Sequence, residues 1–208
     1  AVNLLGLEVV KALVLGIGLF DRFDKEAFRD FDLEKLWSHC LGTARFARAI
    51  AETEGAPAAM REHCYIAGLL HDVGKLVMAT NFPERYQEVI RACQAGEGTI
   101  LDMEHHIFGA SHAEVGAYLL GLWGVEDEVV RAVYLHHEPS RDRRAGFSPL
   151  AAVHVANRLE HEMVIFSPGY AINPLDELYL MASGLDARAP EWRAACQAVL
   201  DQPGRDDA

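Results

Sequence analysis

Apolar residues recur at helical spacing along almost the whole chain, and no stretch alternates with the period of two that a half-buried strand needs. Leu33, Leu36, Trp37, Cys40, Leu41, Ala44, Phe46, Ala47 and Ile50 form one such face. They predict a helix over 33–54, with Asp32 or a neighbour as its cap and Gly55-Ala-Pro57 as its end. An apolar run predicts an earlier helix over 2–22, and Pro57 suits the start of another over 58–79. Further helices are expected over 83–95, 99–108, 126–137, 149–163, 175–183 and 190–200. Ser111-His-Ala-Glu114 has the form of a capping box, which starts a helix running to about Trp123. The charged loop 140–148 reads as a mobile flap or surface excursion, and the tail 202–208 should fray. The class is all-α, a helical bundle without internal repeats.

With 208 residues, 50% of them hydrophobic, the chain can bury a sizeable core. Its net charge of −12 and lack of long Lys/Arg runs argue against nucleic-acid binding, which neutralises many phosphates. Cys40, Cys64, Cys93 and Cys196 show no CxxC spacing, so reduced thiols in a cytoplasmic protein are expected. The opening segment has no basic n-region or cleavage site, and Glu8 and Lys11 interrupt it, so neither a signal peptide nor a membrane span is expected. A chain that opens inside an apolar helix reads as a fragment of a longer protein.

Chemistry enters with Ala67-Gly-Leu-Leu-His71-Asp72-Val-Gly74-Lys75. Neighbouring helical residues point about 100° apart, so His71 and Asp72 can grip one ion only if other helices close around them. Imidazole and carboxylate suit Zn, Mn, Fe or Ni. Of ten histidines, His39, His71, His112, His136 and His137 lie beside small or apolar neighbours in or at the ends of helices. His63, His105, His106, His154 and His161 sit among polar neighbours and read as surface or supporting residues. Burying five imidazoles is costly unless something satisfies them, and a metal centre would. His112 falls in the first turn of its helix, where the positive end of the dipole disfavours imidazolium.

The order His39 … His71-Asp72-x-Gly74-Lys75 … His112-x-x-x-Gly116 … His136-His137 … Asn157 resembles the HD superfamily of metal-dependent phosphohydrolases, and more narrowly its HDOD (HD-related output) domain. Further phrases carry the likeness: Ala1-Val-Asn-Leu-Leu-Gly6, Leu36-Trp-Ser-His39, Gly109-Ala-Ser-His-Ala-Glu-Val-Gly116 and Leu122-Trp-Gly-Val-Glu126. It covers residues 1 to about 165, which implies an HD/HDOD core over 1–165 that lacks N-terminal helices and a packed C-terminal extension over 166–208. The Gly-Tyr-Pro signature of the related HD-GYP phosphodiesterases is missing after His137. The resemblance implies His39, His71 and Asp72 as ligands of a first metal. Asp72 would bridge to a second, held by His112, His136 and His137. Catalytically competent HD enzymes supply a further aspartate where this chain has Asn157, and Lys75 would contact a phosphate.

Two functions follow as expectations. The first is a bacterial signal-transduction output module of the response-regulator type, non-catalytic or weakly catalytic. It would hold one or two divalent ions (Mn, Fe, Ni, Zn or Mg) and contact other signalling proteins or an upstream sensory or receiver domain of the same chain. The second is a metal-dependent phosphohydrolase, with Asp72 and Lys75 as catalytic residues, acting on a nucleotide or cyclic dinucleotide phosphodiester. A bundle without any ligand leaves the histidines unexplained.

Overall fold

The computed structural model describes residues 33–164 and 172–201. The expected helix over 2–22, the Asp32 cap and the tail 202–208 lie outside the described residues. The elements are α1 (Leu33–Thr53), α2 (Ala58–Leu70), α3 (Val73–Asn81), α4 (Pro83–Gln94), α5 (Ile100–Phe108), α6 (His112–Leu122), α7 (Asp127–Leu135), α8 (Pro149–Met163), α9 (Glu177–Ala182) and α10 (Ala189–Leu200). Short 3-10 turns cover Pro139–Arg141 and Asp186–Arg188. No strand occurs among the described residues, so the protein is all-α as its periodicity implies. No helix among them is long and apolar enough to cross a membrane.

Helix α8 is the axis of the bundle. Every residue from Pro149 to Asn157 is buried, because α1, α2, α7 and α10 all pack against it. Phe46 and Ile50 of α1, Leu150 and Val153 of α8 and Trp192 of α10 share this core. Each such side chain contributes about 1.5–3 kcal/mol by leaving water. The Trp192 indole also donates to Glu54 Oε1 at 2.7 Å, which fastens α10 to the end of α1. Met78, Tyr86, Val89, Ile90, Cys93 and Ile100 form a second cluster among α3, α4 and α5.

Boundaries follow local chemistry. Ser111 and Glu114 close a reciprocal capping box at the start of α6, with Glu114 accepting from the Ser111 backbone N–H at 2.8 Å. Thr99 and Asp102 make the same device at the start of α5. The loop after α7 is a surface excursion tied to the body: Arg144 pairs with Glu128 at 2.8 Å, and Arg141 donates to the Tyr134 hydroxyl at 2.9 Å.

Two expected elements are corrected. The helix anticipated over 58–79 is broken at His71-Asp72: α2 ends at Leu70 and α3 begins at Val73. Asp72 leaves helical geometry (φ −103°, ψ 10°), and the axis turns between the two residues. The break lets neighbouring side chains face one centre, which an unbroken helix would point apart. The anticipated helix over 126–137 likewise stops at Leu135, leaving His136 and His137 just beyond its last turn.

Glycine makes this centre possible. A Cβ on Gly74 would lie 1.9 Å from the His112 carbonyl oxygen, so α3 and α6 touch backbone to backbone at the site. Gly68 does the same between α2 and α1, where a Cβ would stand 2.7 Å from Ala44 Cα. Gly74→Ala should therefore lower the melting temperature by roughly 5–10 °C, since overpacking costs about 1–3 kcal/mol. Gly121→Ala is the control, because open space surrounds its Cβ position and it lies within α6. That change should be neutral or slightly stabilising. Circular dichroism melts of both variants check the pair, and equal melting would refute the close-approach account.

Candidate metal centre

Helices α1, α6, α7 and the α2–α3 break each deliver an imidazole or carboxylate to one buried point. Asp72 lies at its middle, 1% exposed. Its Oδ1 is 3.2 Å from His112 Nε2 and 3.8 Å from His136 Nε2. Its Oδ2 is 3.5 Å from His71 Nε2 and 3.8 Å from His39 Nε2. His137 Nε2 stands 3.1 Å from His112 Nε2. The structure thus brings His39, His71, Asp72, His112, His136 and His137 together as expected. Lys75 joins them: it is buried and donates to Asp72 Oδ2 at 2.7 Å rather than standing in solvent.

The ring nitrogens facing away from the centre are anchored. His71 Nδ1 donates to the Gly68 carbonyl at 2.7 Å and His136 Nδ1 to the Val133 carbonyl at 2.7 Å. Glu104 Oε2 accepts from His112 Nδ1 at 2.6 Å and from the His112 backbone N–H at 2.8 Å. Tyr86 donates to the other Glu104 oxygen at 3.0 Å. Glu160 of α8 bonds His39 Nδ1. A proton fixed on Nδ1 leaves the Nε2 lone pair free for a cation, and such partners orient metal-bound imidazoles.

Glu104 and Glu160 escaped the sequence reading, whereas His154 and His161, read as surface or supporting residues, take the supporting place. His154 bridges, its Nδ1 donating to the His136 carbonyl at 2.8 Å and its Nε2 accepting from the Asp176 N–H at 2.9 Å. His161 stacks on the His39 ring with centroids 4.3 Å apart. One available signal was spacing: Asn157, Glu160 and His161 sit at i, i+3 and i+4 on one helix, hence on one face. By contrast, His105 and His106 are exposed, in line with a surface role.

Burial dominates the electrostatics. Desolvation pushes the His71 pKa down to about 3, against the attraction of Asp72, and that of His161 to about 3 as well. His136 and His137 are held well below the usual histidine value, chiefly by burial and then by neighbouring imidazoles. Burial alone would raise the Asp72 carboxyl, but the positive charge of His71 when protonated and of Lys75 holds it well below the usual range. His112 corrects an expectation. Burial is the largest influence and disfavours its imidazolium, as does the helix start, yet the Glu104 charge together with hydrogen bonds to Asp72 and Glu104 leaves the pKa raised. The four cysteines are free and buried, and burial pushes Cys64 and Cys196 up to about 12.

These residues fit a divalent ion. Donors about 2.1 Å from a tetrahedral ion stand roughly 3.4 Å apart, and the spacings around Asp72 bracket that value. Asp72, His112, His136 and His137 offer ligand atoms all within 4.8 Å of one another, as do His39, His71 and Asp72. Asp72 Oδ1 and His136 Nε2 are buried without a hydrogen-bond partner, the condition a bound cation relieves. His39 and His71 oppose their Nε2 atoms across 3.2 Å, and with both Nδ1 protons donated outward the two lone pairs would face each other there. Asn157, one turn before Glu160, is buried with its Oδ1 unpartnered.

The protein freed of metal should lose stability as pH falls. Its unfolded chain takes up protons on these imidazoles near pH 6.5, whereas folded His71 and His161 stay neutral to about 3. The unfolded state then binds more protons, so stability drops by up to about 1.4 kcal/mol per pH unit per histidine below pH 6.5. His112, with its raised pKa, acts in the opposite sense only above about pH 6.5. Urea midpoints of chelator-treated protein at pH 7.5, 6 and 5 check this; a flat profile below 6.5 would contradict it.

A family model of the HDOD domain matches residues 1–139. Among solved structures, an HDOD domain protein with unknown function from Geobacter sulfurreducens superposes with a TM-score of 0.62 at 25% identity, covering 80% of this chain and 58% of that one. A protein assigned as a phosphohydrolase, from Shewanella amazonensis SB2B, gives a TM-score of 0.68 at 19% identity, over 96% and 71% of the two chains. The response regulator MmoQ from Methylococcus capsulatus gives 0.59 at 24% identity, over 93% and 72%. The last two likenesses concern the fold alone. The chain spans about a quarter of the length of the curated relatives it matches, 26% and 27%. With the HD pair, the histidine ring and the helical bundle in place, this chain belongs to the HDOD domain family.

Proposed function

We propose that this chain is a signal-transduction output module whose HD pocket holds a divalent metal and which turns over phosphodiesters slowly or not at all. His112, His136, His137 and Asp72 are the ligands at one position, and His39, His71, Asp72 and Asn157 surround the other. The observation that carries the reading is the set of buried nitrogen and oxygen donors that converge on Asp72 with Oδ1 and His136 Nε2 unpartnered. Asn157 argues for a module rather than an enzyme. An amide oxygen attracts a cation far less than a carboxylate does in a desolvated site. The likeness of the bundle to a response regulator accords with signalling partners, either separate proteins or another domain of the same polypeptide, and with a cytoplasmic setting.

A phosphohydrolase acting on a nucleotide or cyclic dinucleotide is the second reading, favoured by the nearly complete ring of ligands. A bound metal would there lower the pKa of a water and polarise a phosphate. Asp72 and Lys75 would then orient the reacting groups.

Two measurements separate these readings. Elemental analysis of the purified protein should find bound divalent metal, and His136→Ala should lose at least tenfold in affinity for it. Turnover of a chromogenic phosphodiester with Mn, Fe, Ni or Mg added should stay near background. Brisk metal-dependent turnover would overturn the module reading in favour of the enzyme. Asn157→Asp adds a carboxylate and should raise several-fold the affinity of the His39–His71–Asp72 position for a divalent ion, with the His112–His136–His137 position unchanged. Unchanged affinity would mean that residue 157 does not face the ion.

A further inference from the structure

The two oxygens of Asp72 have different company. Oδ1 faces His112 and His136 and has no hydrogen-bond partner. Oδ2 faces His39 and His71 and is already bonded by the Lys75 ammonium at 2.7 Å. Lys75 is 7% exposed, and its i, i+3 relation to Asp72 across the start of α3 puts the ammonium on that oxygen. Gly74 holds α3 hard against α6, so the lysine is part of a tightly packed turn.

We infer that the Lys75 ammonium is the resident cation of the His39–His71–Asp72 position, so that the module binds one divalent ion, at Asp72, His112, His136 and His137. This deepens the proposed function and rests on its metal-binding reading. The ammonium sits on the oxygen that faces both rings, at 3.8 Å from His39 Nε2 and 3.5 Å from His71 Nε2, where a metal of that position would otherwise stand. It also answers Asp72 Oδ2 without requiring a fourth anionic ligand, which Asn157 cannot provide.

Charge balance points the same way. Among the described residues, the buried charged side chains are Asp72, Glu104, Glu160 and Lys75. Once the imidazoles serve as neutral ligands, three carboxylates against one ammonium leave two negative charges, matched by a single divalent ion. A second such ion would leave the pocket with excess positive charge in a poorly solvated place, an expensive arrangement.

The test equilibrates the protein with Mn(II), desalts it, and counts ions per chain by elemental analysis, with electron paramagnetic resonance as the second readout. The wild type should hold one ion with the spectrum of an isolated Mn(II). Lys75→Met keeps the apolar stem while deleting the charge, and it should take up a second ion and show the spectrum of a spin-coupled pair. Lys75→Gln should behave likewise if the methionine variant folds poorly. His137→Ala should weaken the single ion of the wild type at least tenfold, because His137 belongs only to the Asp72–His112–His136–His137 group. Two ions in the wild type would overturn the inference alone. So would one ion in both well-folded lysine variants, or an ion indifferent to His137→Ala. No ion in the wild type or the lysine variants would overturn the metal-binding reading and this inference with it.

Discussion

A single buried carboxylate organises this protein. Asp72 sits inside a bundle where an uncompensated negative charge would cost several kcal/mol, and the surrounding helices supply what offsets it. Lys75 comes from the next turn, His71 from the preceding helix, His112 from α6, and His136 from the end of α7. The core and the site are thus one problem. Helices packed closely enough to exclude water must also bring these groups within 3–4 Å of Asp72.

That requirement explains two features that look incidental in the chain. Gly74 carries no side chain because α3 meets the backbone of α6 where Asp72 and His112 face each other. The helix breaks between Leu70 and Val73 because adjacent residues must serve one point. The break gives up helical continuity between the two helices, and what it gains is ligand geometry. A carbonyl or a glutamate anchors the outer nitrogens of His39, His71, His112 and His136 and holds those rings in place, which would lower the ordering cost of binding an ion.

Around this centre lies a graded electrostatic environment. Burial keeps most of the imidazoles neutral and ready as ligands, while Glu104 draws a proton toward His112. An ion held beside Asp72 Oδ1 would compete with that proton, which would couple metal uptake to acidity through one ring. The neighbouring oxygen, Oδ2, answers to Lys75 instead.

Sequence alone determined the helical class, most helix limits and the inward histidines. Apolar periodicity, capping residues and Gly/Pro punctuation act within a few residues, and the chain displays them directly: Ser111-x-x-Glu114 and the apolar face of 33–53 are examples. The resemblance to HDOD domains was legible for the same reason, since His71-Asp72-x-Gly74-Lys75 is a local phrase. Tertiary structure decided what depends on partners far along the chain. Glu160 meets His39 across 121 positions, and Glu104 reverses the charge preference that the helix start alone suggested for His112. His161 looks solvent-bound between Glu160 and Glu162, yet packing turns it onto the His39 ring, and Lys75 is turned onto Asp72. Local patterns are set by backbone geometry, whereas the charge, tautomer and orientation of a buried group are set by whatever the fold places against it.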